Sequence, residues 1–200
     1  MAITADLVKK LRDATGAGMM ECKAALTEAN GNIDEAITLL RKRGLAQAAK
    51  RAGRATAQGT ITSYIHMGGK IGVLVEVNCE SDFVARTDDF TTLGKEVAMH
   101  IAAANPRWVR REDVPAEEIE KERAIYRGQM EKENKPANVM DKIIEGKLGS
   151  FYSQFVLIDQ PFIRDDKTTV SQLVAQASAK TGENIQVSRF VRFRVGEGAE

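Results

Sequence analysis

Two hundred residues suffice for one sizeable core, or for a small module beside a larger one. Hydrophobic residues make up 43% and charged residues 28%, and no run approaches the roughly 18 unbroken apolar residues of a membrane-spanning helix, so no such helix is expected. A net charge of +1 argues against a general nucleic-acid binder, which needs a basic excess to neutralise phosphates.

The N-terminal MAITADLVKKLRD mixes two acids and three bases with its apolar residues, so a secretory signal is not expected. The two cysteines, Cys22 and Cys79, lie far apart without CxxC spacing. That pattern predicts neither a metal centre nor a disulfide framework, and it fits a reducing compartment, the cytoplasm.

The first 44 residues read as three short helices. Ile3, Leu7, Val8, Leu11 and Ala14 recur at helical spacing, with Thr4 as N-cap and Gly16 and Gly18 as the stop. The second helix carries Cys22, Ala25, Leu26 and Ala29 on one face and closes at Asn30-Gly31. The third starts at Asn32 with Glu35 three places on, turns Ile33, Ala36, Ile37 and Leu40 inward, and is expected to end at Gly44. Helices this short are marginal alone and must pack as one module, too small for a buried catalytic pocket and suited to docking.

Residues 45–57 are Ala-rich and basic and read as a helical linker weakened at Gly53. A boundary near residue 55 follows, giving a docking module with its linker over 1–55 and a core over 56–200. The first 58 residues hold ten Lys and Arg against six Asp and Glu, concentrated at Arg41, Lys42, Arg43, Lys50, Arg51 and Arg54. Such a cluster is explained either by a solvated helix end that complements the macrodipole or by docking on an acidic partner.

Beyond the boundary, Thr60 to His66 alternates, Gly68-Gly69 makes a turn, and Ile71, Val73, Val75, Val77 and Cys79 share one face of a return strand. Phe90, Leu93, Val97, Ala98 and Ile101 mark a helix ending before Pro106. A charged helix is expected over about 117–133, another over about 137–147, and a third through Val170, Leu173, Val174 and Ala177 until Gly182. The final IQVSRFVRFRVG reads as a strand with one face on the core and one available to a partner. Helices, a hairpin, more helices and a closing strand make an α+β protein with an antiparallel sheet.

The familiar catalytic patterns are missing: no phosphate loop, dinucleotide fingerprint, zinc-binding HExxH or GxSxG elbow occurs. His66 and His100 lack nucleophilic neighbours, and the pairs Asp88-Asp89 and Asp165-Asp166 read as helix-start or turn residues. Three segments are unusual. In Thr15-Gly16-Ala17-Gly18-Met19-Met20 the two methionines either fill the three-helix core or form an adaptable contact surface, with Arg12 and Lys23 as a polar rim. In Ser81-Asp82-Phe83-Val84-Ala85-Arg86, Ser81 or Asp82 can cap a helical turn; Phe83 is either a buried anchor or a projecting wedge carrying the Asp82 charge with it. The third is the strand bearing Phe190, Arg192, Phe193 and Arg194.

Two of these segments carry a resemblance. LRDATGAGMMECKAAL (Leu11–Leu26) closely resembles the N-terminal signature of the elongation factor Ts family, and EVNCESDFVAR (Glu76–Arg86) resembles its second signature. Asp159-Gln160-Pro161-Phe162 and the terminal FVRFRVGEG also look like that family. The resemblance implies a ubiquitin-associated-like three-helix module followed by an α+β core, in a short form that pairs as a homodimer. It further implies a guanine-nucleotide exchange factor for elongation factor Tu, with no covalent chemistry, cofactor or metal of its own and no direct nucleic-acid partner. Arg12, Met19, Met20 and Lys23 would contact a helix of the partner's nucleotide-binding domain. Asp82 and Phe83, with Val84 and Ala85, would insert near the partner's Mg²⁺. Two departures stand out: Ser81 replaces the family's usual Thr while keeping the hydroxyl, and the cysteine that some short members place near the final strand is absent around Val191, so a covalent dimer is not supported.

Overall fold

Capping and periodicity lay down the first helices as expected. The computed structural model describes residues 3–130 and 137–198. Helix α1 (Ala5–Thr15) begins where the Leu7 N–H donates to the Thr4 hydroxyl at 3.3 Å and ends at Gly16 with φ +68°. Helix α2 (Met19–Glu28) and helix α3 (Ile33–Arg51) follow, α3 capped by Asn32, whose side-chain oxygen accepts from the Asp34 and Glu35 N–H groups. Val8, Leu11, Cys22, Ala25, Leu26, Ala29 and Ala36 form one apolar cluster, with Ile33, Ile37 and Leu40 packed on it.

One boundary differs. Gly44 does not end α3, which runs unbroken to Arg51. A single mid-helix glycine costs only about 1 kcal/mol relative to Ala, and the Ala, Leu, Gln and Lys residues beyond it are strong helix formers. The missing Cβ is also used, since a methyl there would stand 3.2 Å from the Ala179 Cβ.

Strands β1 (Gln58–Ile65) and β2 (Ile71–Cys79) form the hairpin, turning at Gly68 and Gly69, both at positive φ. A four-residue helix α4 (Asp82–Ala85) leads into α5 (Asp88–Ala104), which buries Phe90, Leu93, Val97, Ala98 and Ile101. Helices α6 (Ala116–Met130) and α7 (Ala137–Phe155) pair through Ile119, Tyr126, Ile144, Leu148 and Tyr152. Positions 131–133 of the charged helix expected from sequence lie outside the described residues. Helix α7 continues well past residue 147 because Ile144, Leu148 and Phe151 repeat at helical spacing, so the aromatic run through Phe155 is helical.

A small hairpin, β3 (Pro161–Phe162) with β4 (Asp165–Thr169), was not anticipated, and Asp165 begins a strand. Its carboxylate accepts from the Lys167 N–H and the Thr168 hydroxyl, a local turn device. Helix α8 (Val170–Thr181) and strand β5 (Gln186–Arg194) complete the chain, and the main sheet has the order β1-β2-β5. The architecture is α+β.

The chain groups into two compact units that do not follow chain order. The first gathers Met1–Thr62, Glu76–Gly94 and Gln172–Val187; the second gathers Ser63–Val75, Lys95–Ser171 and Ser188–Glu200. In the first, the methionine-bearing module, the corner at Ser81 and the end of α8 therefore belong together. In the second, buried His100 lies on α5 with its Nε2 2.9 Å from the Gln160 Oε1, while its Nδ1 accepts from the Ile163 N–H at 3.3 Å. The Gln160 amide donates to the Gln154 carbonyl at 2.7 Å, so its oxygen faces the imidazole and His100 carries its proton on Nε2. Burial pulls the His100 pKa below the ordinary value and outweighs the opposing Gln160 bond.

Candidate functional site

Met19, Met20 and Phe83, singled out from the sequence, are left uncovered in the first unit. On α2, Cys22, Ala25 and Leu26 face the core, which turns the preceding residues outward: Met19 is 59% exposed and Met20 75%. The core-filling alternative for the methionines is thereby removed. Arg12 and Lys23, before and after them, are exposed as well. An unbranched, polarizable pair flanked by two cations makes a deformable apolar contact with a polar rim.

The second segment is built around Ser81. Its hydroxyl accepts from the Val84 N–H at 3.3 Å, and its carbonyl accepts from the Ala85 N–H, which starts α4. The cap sends Ala85 inward, 6% exposed, and throws Phe83 outward, 80% exposed. Phe83 is thus a projecting aromatic and not a buried anchor. Ala85, which the resemblance also places at the insertion, is buried in this chain, because one turn of helix sets a residue two positions on against the core. Val84 is half-buried. Asp82 receives the Arg86 guanidinium at 2.9 Å, an exposed i,i+4 pair whose net contribution to stability is small.

Behind this corner stand groups that sequence reading missed. The Glu183 carboxylate accepts from the Glu80 and Ser81 N–H groups, each at 3.0 Å, and from the Ser81 hydroxyl at 2.5 Å. Burial first, and the Glu183 charge second, raise the pKa of Cys79, so its thiol keeps its proton and donates to the Ser81 carbonyl at 3.1 Å. Asn184 donates to the carbonyls of Ala52 and Arg54 at the end of α3. Roughly a hundred residues separate Glu183 and Asn184 from Ser81, and no spacing rule connects them.

The basic cluster is partly consumed internally. Arg43 pairs with Glu28, Arg51 donates to the Ser178 carbonyl at 3.3 Å, and Arg54 meets Glu80 at 3.4 Å. Lys50 and Arg51 occupy the last turn of α3, where they complement its dipole. Among the described residues no three His, Cys, Asp or Glu side chains gather as a metal ligand set, and no helix is long and apolar enough to cross a membrane.

Residues 2–197 match the family model for elongation factor Ts. The chain belongs to the elongation factor Ts family. A relative from Fervidobacterium nodosum named elongation factor Ts is 61% identical over 98% of this chain and 100% of its own length. One from Thermosipho melanesiensis is 60% identical over 98% and 100%, and one from Koribacter versatilis 58% over 100% and 91%. Membership in the elongation factor Ts family makes this a protein of translation.

Proposed function

We propose that this chain binds elongation factor Tu carrying GDP and drives the nucleotide out so that GTP can load, acting as an exchange factor without covalent chemistry. The observation that carries the reading is Phe83, an aromatic 80% exposed at the tip of a capped turn, with the acid Asp82 beside it. An exposed ring of this kind gains nothing in its own fold and is suited to burial in another protein.

Met19 and Met20, rimmed by Arg12 and Lys23, dock on a helix of the partner's nucleotide-binding domain, with residues 1–55 serving as a ubiquitin-associated-like docking module. Asp82 and Phe83, with Val84 at their base, enter near the partner's Mg²⁺. That cation bridges the nucleotide phosphates to the protein, so displacing it and shifting the phosphate-binding loop weakens GDP binding. Linkage requires reciprocity: the factor by which this chain weakens GDP is the factor by which GDP weakens this chain's own binding. Each tenfold needs about 1.4 kcal/mol of coupling. A transient ternary complex then releases either ligand, and excess GTP sets the direction.

Residues 56–200 act in this reading as the dimerising core, and the protein works in the cytoplasm. The second unit offers a surface for pairing with a second copy. Strand alternation sends Val73 and Val75 inward and leaves Ile65, Leu74, Val191 and Phe193 exposed, with Met67 and Val195 exposed nearby. A contiguous apolar sheet face of this kind marks an interaction site.

The test is stopped-flow release of a fluorescent GDP analogue from elongation factor Tu, with and without this protein. Acceleration that saturates with protein concentration is expected. An unchanged release rate at saturating protein would overturn the proposal.

A further inference from the structure

The geometry points to Glu183 as the positioning residue of the Asp82–Phe83 corner, which deepens and rests on the exchange reading above. Helix α4 is four residues long and cannot hold its own shape, since helix nucleation is unfavourable before several turns have formed. Phe83 itself is mostly in solvent, so packing does not fix it either. Whatever aims the ring must act from behind.

Every polar group of Ser81 is engaged in that way. Its N–H and its hydroxyl both donate to Glu183, its hydroxyl oxygen accepts from the Val84 N–H, and its carbonyl accepts from the Cys79 thiol and the Ala85 N–H. One carboxylate thus takes three donors, those two and the Glu80 N–H. An ionised acceptor makes such bonds shorter and stronger than a neutral one. It also orients the Ser81 hydroxyl proton away from Val84, leaving the lone pair that caps α4.

The adjoining residue extends the grip. Buried Asn184 donates its N–H to the Glu80 Oε1 at 2.6 Å and its side-chain amide to the Ala52 and Arg54 carbonyls at 3.3 and 2.8 Å. The turn at Glu183-Asn184 therefore holds both the wedge-bearing corner and the end of α3, the third helix of the module that presents Met19 and Met20. It sets where Phe83 stands relative to that module. Loosening it spreads Phe83 over many placements, and only the fraction in the insertion-competent one displaces the partner's cation.

The experiment compares Glu183→Ala, Glu183→Gln, Ser81→Ala, Phe83→Ala and the Glu183→Ala/Phe83→Ala double variant in the same fluorescent GDP release assay, each titrated to saturation. Circular dichroism and thermal melting identify the folded variants. Glu183→Ala is expected to lower the maximal release rate about tenfold while its half-saturation concentration, set by the methionine contact, moves less than about twofold. Glu183→Gln, which keeps an acceptor oxygen, restores part of the rate. The double variant is expected to be no slower than Phe83→Ala alone, because both changes remove one action. Should Glu183→Ala not fold, Ser81→Ala decides together with Glu183→Gln: Ser81→Ala deletes the hydroxyl that both reaches Glu183 and caps α4, while Glu183→Gln leaves that cap in place and changes only the acceptor.

If Phe83→Ala itself releases GDP at the unaltered rate, the underlying wedge reading fails, and this inference fails with it. If Phe83→Ala is slow while folded Glu183→Ala or Ser81→Ala keeps the full maximal rate, the wedge stands and the positioning role is overturned. A change confined to half-saturation, or a double variant slower than Phe83→Ala, also overturns it.

Discussion

The Val77 carbonyl occupies the place that a Cβ on Gly59 would need. An added methyl would lie 2.2 Å from that oxygen and 2.7 Å from the Asn78 Cα, and both are backbone atoms that cannot rotate aside. Gly59 also has φ +152°, a conformation side chains disfavour. Gly59→Ala is therefore expected to cost about 3 kcal/mol or more of unfolding free energy, measured by urea denaturation. A change below about 1 kcal/mol would show that β1 can move away from β2 without penalty.

Phe83→Ala separates stability from activity. Because the ring is mostly in solvent, its removal is expected to shift unfolding free energy by no more than about 0.5 kcal/mol. GDP release from elongation factor Tu is expected to slow at least about tenfold at saturation, equivalent to about 1.4 kcal/mol of lost coupling. Full activity in the folded variant would remove the wedge.

Met20→Ala has the opposite signature. Loss of an exposed apolar contact at a partner surface is expected to weaken complex formation by about 1–2 kcal/mol, read as a rise in half-saturation concentration, with the maximal release rate kept. Calorimetry showing unaltered affinity would mean that the methionines do not touch the partner.

The open sheet face of the second unit yields a test of pairing. Phe193→Asp places a charge among Leu74, Val191 and Val195, and desolvating it in an interface is unfavourable. Sedimentation equilibrium is expected to show a dimer for the natural sequence and a monomer for the variant. A monomer for both would eliminate the homodimer.

His100 makes stability depend on pH. Its folded pKa lies below the ordinary 6.5 because burial disfavours the cation. A second proton would sit on Nδ1, facing the Ile163 N–H that now donates to it. The unfolded chain takes up that proton near 6.5, so the contribution of His100 is present above this value and is lost as pH falls toward and through the folded pKa. The melting temperature is expected to decline from about pH 7.5 to about pH 5.5, and the decline to be shallower in His100→Gln. Equal slopes would show that carboxylates alone account for the acid limb.

Much of the local structure was legible because its causes are local. Thr4 and Asn32 cap the helices they precede, and Gly16 closes α1. The alternation from Val73 to Cys79 buries as a period of two requires. Where reading from the sequence went wrong, a nonlocal contact or a collective propensity intervened. Gly44 looked like a stop, yet α3 passes through it and lies against Ala179. The helix expected to end at about residue 147 runs on to Phe155 because its inward face continues through Leu148 and Phe151. The β3–β4 hairpin is too short to leave a periodic trace.

The sequence by itself determined that Met19, Met20, Asp82 and Phe83 are chemically unusual and which family they resemble, since those are properties of short segments. It could not say whether the methionines and Phe83 were buried or displayed, because hydrophobicity reads alike in a core and at an interface. Tertiary structure decided that, by turning Cys22, Leu26 and Ala85 inward and leaving their neighbours in solvent. It also brought Glu183 to Ser81 across about a hundred residues of chain, a meeting that only the folded backbone can arrange.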